Sequence, residues 1–154
     1  MFGRGRDVKP PHRQVGLILV VVLGGFLGAA CRGLVSTGLQ GEVGGWPLAT
    51  LLVNLAGAFG LGVLLEALAA AGPEGPRRRL LRLGLGTGFF GGFTTYSGFA
   101  LDLVQLAASG RVPVLVGYVL VTLGLGLLSA HLGAVTGARW GRRRHPGDLL
   151  RGER

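Results

Sequence analysis

Apolar and polar residues along this chain are sorted into long blocks rather than interleaved. Nearly uncharged, apolar stretches run from about Val15 to Leu39, Trp46 to Ala71, Leu80 to Ala108 and Val112 to Ala138. Each exceeds the roughly 20 residues that a helix needs to cross the hydrocarbon layer of a bilayer. The connections Gln40 to Gly45, Gly72 to Arg79 and Ser109 to Arg111 are short. The pattern predicts an all-α membrane protein with a domain of four transmembrane helices over 15–138. Basic tails flank it at 1–14 and 139–154, and no soluble domain fits anywhere.

Composition sharpens this picture. The 154-residue chain is 49% hydrophobic yet carries a formal charge of +9, and 31 of its residues are glycine. Glycine costs a soluble helix about 1 kcal/mol per residue relative to alanine, but it lets membrane helices approach closely. The single cysteine, Cys31, excludes an internal disulfide, and the scattered histidines form no metal-ligand cluster. A basic total raises nucleic acid as a partner. The arginines flank apolar spans without an aromatic or polar platform, so nucleic acid is set aside. The match of Gly86 to Gly91 to a G-x-G-x-x-G loop lacks the strand and the downstream acid that such a loop requires. Gly28-Ala29-Ala30-Cys31 resembles a lipoprotein cleavage box, but Gly28 replaces its large aliphatic residue and the apolar run continues past Arg32. A retained first span is expected.

Charge also sets the expected orientation. Arg4, Arg6, Lys9 and Arg13 precede the first span, and Arg77, Arg78, Arg79 and Arg82 lie around the second connection. Arg139, Arg142, Arg143, Arg144, Arg151 and Arg154 follow the fourth, so all but Arg32 and Arg111 of the 16 basic residues fall on one side. Both termini are predicted to be cytoplasmic, in a cell membrane crossed several times.

Polar groups inside spans need reasons. Arg32 is the one ionisable group at depth, whereas Glu66 and Asp102 lie towards span ends. A proton-coupled carrier would want a midplane carboxylate, so the site is expected to rest on neutral donors. These are Asn54, then Thr94, Thr95, Tyr96 and Ser97, then Tyr118 and Thr122 on one face of the fourth span. Each could equally be helix-packing glue. Gly91-Gly92-Phe93-Thr94-Thr95 weakens the centre of the third span, and a break there would free carbonyls that only protein, water or an ion can satisfy. Broken helices recur at ion sites. Tyr96 and Phe99 lie just beyond it, and an aromatic ring edge carries positive potential that suits an anion.

Three segments carry a resemblance: Gly24 to Arg32, Thr50 to Phe59, and Gly86 to Phe99. In order, spacing and span layout they resemble the Fluc, or CrcB, family of fluoride channels. The resemblance implies a passive fluoride channel rather than an enzyme, built as an antiparallel, dual-topology dimer with two pores and a central structural sodium ion. It implies main-chain carbonyls of Gly91 and Thr94 as sodium ligands, matched by the same pair from the second subunit. It implies Asn54 as a fluoride donor, Tyr96 and Phe99 at the paired pore phenylalanines, and Tyr118 and Thr122 continuing a polar track. Thr95 and Ser97 join this pore set, and Arg32 falls in the vestibule and packing region. Tyr96, Gly98 and Gly126 depart from the family pattern, where a phenylalanine, a hydroxylated residue and a serine are expected. The one-sided charge favours pairing with an oppositely oriented paralogue over pairing with itself. Two rivals are a small exporter of cationic compounds, which would want a carboxylate where Arg32 stands, and a non-conducting membrane scaffold.

Overall fold

A computed structural model describes residues 15–39 and 45–144. The tail assigned to 1–14, the end of the chain beyond Arg144 and most of the first connection lie outside the described residues. Helix α1 spans Val15–Gly38 and α2 spans Leu48–Ala70. The third apolar stretch is made of pieces. Helix α3 (Pro76–Leu81) passes into a π-helical segment (Arg82–Phe90) and a last α-turn, α4 (Gly91–Phe93), and α5 (Tyr96–Ala108) follows. Helix α6 runs from Val112 to Arg144. No β-strand occurs among the described residues.

Local chemistry explains several of these ends. Helix α2 stops where Gly72 takes φ +101, a conformation open to glycine, and Pro73 follows. Pro76 opens α3 at a first-turn position, where its missing N–H is no loss. Thr94 (φ −74, ψ 157) and Thr95 (φ −145, ψ 122) are extended, so the helical run stops between α4 and α5. The hydroxyl of Thr95 then caps α5 by accepting the Gly98 N–H at 2.9 Å.

The third stretch differs from the span expected over Leu80 to Ala108 at its start and in its winding. It starts earlier, at the proline, and its middle is wound in wide turns. Helix α6 also outlasts its apolar run, which ends at Ala138. Helix formation does not require apolar residues, and the extra turns pack on α2: a methyl on Gly141 would sit 3.1 Å from the Ala67 carbonyl.

The direction of the helices follows from their glycine contacts. A methyl on Gly28 of α1 would lie 2.8 Å from Phe93 N, whereas one on Gly24, a turn earlier, would meet Phe89 N at 3.0 Å. Helix α1 and the π segment with α4 therefore run the same way. Likewise Gly133 and Gly137 of α6 abut Phe59 and Val63 of α2 in ascending order, with no room for a Cβ. Helix α1 thus packs along the third stretch and α2 along α6, each pair running parallel.

The surface decides the solvent. Among the described residues Leu51, Val53, Leu106 and Tyr118 are the buried hydrophobics, while Phe26 (71% exposed), Leu34 (73%) and Leu127 (75%) face outward with many others. A soluble monomer rarely exposes so continuous an apolar surface. Helices α1, α2 and α6 are each long and apolar enough to cross a membrane. The 24 residues of α1 and 23 of α2 reach beyond the roughly 30 Å of hydrocarbon at about 1.5 Å per residue.

Candidate functional site

The interruption at Thr94 and Thr95 is held by one side chain from α2. Asn54 Nδ2 donates to the Thr95 carbonyl at 3.0 Å, and the Thr95 N–H donates to Asn54 Oδ1 at 2.8 Å. The amide thus imitates a neighbouring strand, satisfying both backbone groups of an extended residue. Left bare in hydrocarbon, each would cost several kcal/mol. The clasp also has a price elsewhere in the ladder. The Thr95 N–H is the donor that would close an α-turn onto the Gly91 carbonyl, and it is committed to Asn54 instead.

Thr94 spends its hydroxyl locally, donating to the Phe90 carbonyl at 2.8 Å. Its methyl occupies the space over Gly57 of α2, where any Cβ would collide with it. Ser97 is exposed, with its hydroxyl 3.2 Å from that of Thr95. Tyr96 is 83% exposed and Gly91 is exposed as well, so the interruption faces outward from the bundle.

Beside it lies a groove of about 440 Å³ lined by Asn54, Thr94, Thr95, Tyr96, Phe99 and Thr122, with Gly57 and Gly126 among its apolar walls. The hydroxyl of Thr122 is buried and has no hydrogen-bond partner among the described residues. The structure therefore brings together Asn54, Thr95, Tyr96, Phe99 and Thr122 of the expected pore set. Gly126, singled out as a departure, lines the same groove.

Tyr118 packs behind that wall rather than lining it. It is fully buried, its ring lies 5.4 Å from Phe99 and 6.1 Å from Trp46 by centroid, and its hydroxyl donates to Asp102 at 3.1 Å. The sequence does not mark Asp102 as the partner of Tyr118, because spacing within one span says nothing of what faces it from another. The signal available was that it is the lone acid between Glu74 and Asp148. Arg32 is half-buried on α1, one turn beyond the Gly28 contact with α4.

Fold and groove together define a multi-pass helical membrane protein whose polar groups converge where a helix is interrupted. The family model described as "CrcB-like protein, Camphor Resistance (CrcB)" matches residues 19–134, and the chain belongs to that family. It is 42% identical over 139 residues to "Fluoride-specific ion channel FluC 2" of Leifsonia xyli subsp. xyli, covering 90% of this chain and 95% of the relative. It is 41% identical over 118 residues to "Fluoride-specific ion channel FluC 1" of Cutibacterium acnes, covering 77% and 82%. A "Fluoride-specific ion channel FluC 2" of Nocardia farcinica is 40% identical over 135 residues, covering 86% and 91%.

Proposed function

We propose that this chain is one subunit of a passive, fluoride-selective channel that lowers cytoplasmic fluoride by efflux, and that it is not an enzyme. The groove at the interrupted helix carries the reading. Fluoride is small and tightly hydrated, so a pathway must replace its water with amide and hydroxyl donors while binding weakly enough to release it. Asn54 Nδ2 has two hydrogens and the clasp on Thr95 uses one, leaving the other for an anion. Thr122 lines the same wall, as do Tyr96 and Phe99, whose ring edges suit an anion without gripping it. The names borne by the relatives supply the ion.

The stretch from Pro76 to Ala108 forms the remaining crossing, so that four spans traverse the membrane, with both termini cytoplasmic. Its outward-facing interruption calls for a second subunit, because bare backbone is not tolerated against lipid. In an antiparallel dimer two such interruptions would meet at the centre. The donor chemistry there fits a structural sodium ion. The Gly91 carbonyl has lost its α-helical donor to Asn54, and Thr94, its hydroxyl already spent, has its main-chain carbonyl to offer. Sodium would neutralise the facing carbonyl dipoles, with hard oxygen ligands to match. The one-sided basic residues favour an oppositely oriented paralogue as partner, and relatives numbered 1 and 2 are consistent with paired genes.

The reading is tested in bacteria stripped of their own fluoride export. Expression of the chain, alone or with an oppositely oriented relative, should restore growth in fluoride medium. Membrane-inserted protein that gives no protection in either setting would overturn it.

A further inference from the structure

A second cavity, of about 610 Å³, lies at the other end of the bundle, between α2, the π segment and α6. Its size is that of a small-molecule site, but its build differs from the polar groove. The walls are apolar, with Leu64 and Leu68 from α2, Leu85 and Phe90 from the π segment, and Trp140 from α6. Arg77 and Arg78 also line it, and no acidic residue does. The nearby Arg82 guanidinium is already paired with Glu74 at 2.8 Å. Arg78 is anchored by donating to the Pro73 carbonyl at 2.7 Å, so one of the two cations is held in place. Leu85 and Trp140 remain 43% and 50% exposed, so the cavity opens sideways rather than into the core.

An apolar slot open to the bilayer and rimmed by two guanidinium groups matches one kind of occupant. We infer that this cavity seats an anionic phospholipid of the phosphatidylglycerol type, with an acyl chain against Leu64, Leu68 and Phe90 and the headgroup phosphate on Arg77 and Arg78. Arginine pairs with phosphate bidentately, and basic pockets between membrane helices bind acidic headgroups. A zwitterionic lipid would bring its own cation against a rim that carries two arginines and no acid.

The chain has Trp46 and Trp140 as its tryptophans, which makes the cavity directly observable. With Trp46→Phe as background, Trp140 reports on the site alone. The protein is reconstituted in vesicles containing increasing fractions of phosphatidylglycerol or phosphatidylcholine brominated in the acyl chains. Brominated phosphatidylglycerol should half-quench Trp140 at about a fivefold lower mole fraction than brominated phosphatidylcholine. Arg77→Gln/Arg78→Gln should bring the two lipids to parity while helical circular dichroism stays unchanged. Arg77→Gln alone, which leaves the Arg78 contact to Pro73 intact, should lose part of the preference. Parity in the parent protein, or a preference that survives the double substitution, overturns the inference while leaving the membrane assignment standing. Equal quenching by the two brominated lipids, together with a Trp140 response to inorganic phosphate alone, would assign the arginines to a free anion and overturn it.

Discussion

Asn54 offers one acceptor and two donor hydrogens, and Thr95 takes one of each. Only an amide can satisfy both backbone groups and still donate to a passing ion. Asn54→Asp keeps the acceptor for the Thr95 N–H but removes the donors and introduces repulsion towards an anion. Fluoride flux should fall at least tenfold, equivalent to about 1.4 kcal/mol at the barrier, while the protein still assembles. Parent-like flux through well-assembled Asn54→Asp protein would reject the role. Thr122 separates function from stability even more cleanly. Its hydroxyl is buried without a partner, a condition that costs roughly 1–3 kcal/mol. Thr122→Val should therefore hold or raise the thermal midpoint in detergent while lowering flux. A drop in stability with unchanged flux would mean that the hydroxyl serves packing.

At the scale of elements, helix pairing and helix interruption make separate predictions. Gly133 of α6 sits against the Phe59 carbonyl, whereas nothing lies within 4 Å of a methyl placed on Gly124. Gly133→Ala should lower the thermal midpoint, by the about 1–3 kcal/mol typical of overpacking, and Gly124→Ala should leave it in place. Equal effects would show that the α2–α6 contact is looser than described. At the interruption, sodium held by main-chain carbonyls predicts that Thr94→Ser is mild, and that replacing all sodium with a large organic cation slowly extinguishes flux. Persistent full activity without sodium would argue against that ion. Much of this level was legible in the sequence. The apolar blocks located the helices because each must bury or expose a whole face to lipid, and Asn54 and Thr122 stood out as polar groups where polarity is costly. The π winding of Arg82–Phe90 and the extra turns of α6 were not legible, because both depend on how backbones meet across the bundle. For the same reason spacing put Tyr118 and Thr122 on one helix face, yet Tyr118 turns to Asp102 on α5 while Thr122 lines the groove.

For the whole molecule, charge bears on both orientation and partnership. With four spans, Arg111 alone of the basic residues flanking them lies on the side opposite the tails, a bias that should fix one orientation. A reporter on the C-terminus of the chain expressed alone should read cytoplasmic in essentially every molecule, whereas two orientations would favour self-pairing. The central claim, that this subunit builds a fluoride pathway, is tested most directly by flux. Purified protein is reconstituted into fluoride-loaded liposomes, alone and together with an oppositely oriented relative carrying Asn54→Asp at the equivalent asparagine, and efflux is followed with a fluoride electrode. The account predicts rapid fluoride release with chloride retained, appearing at the latest when the partner is present and lost when Asn54→Asp is introduced into this chain too. Release no faster than from protein-free liposomes in both preparations would contradict it.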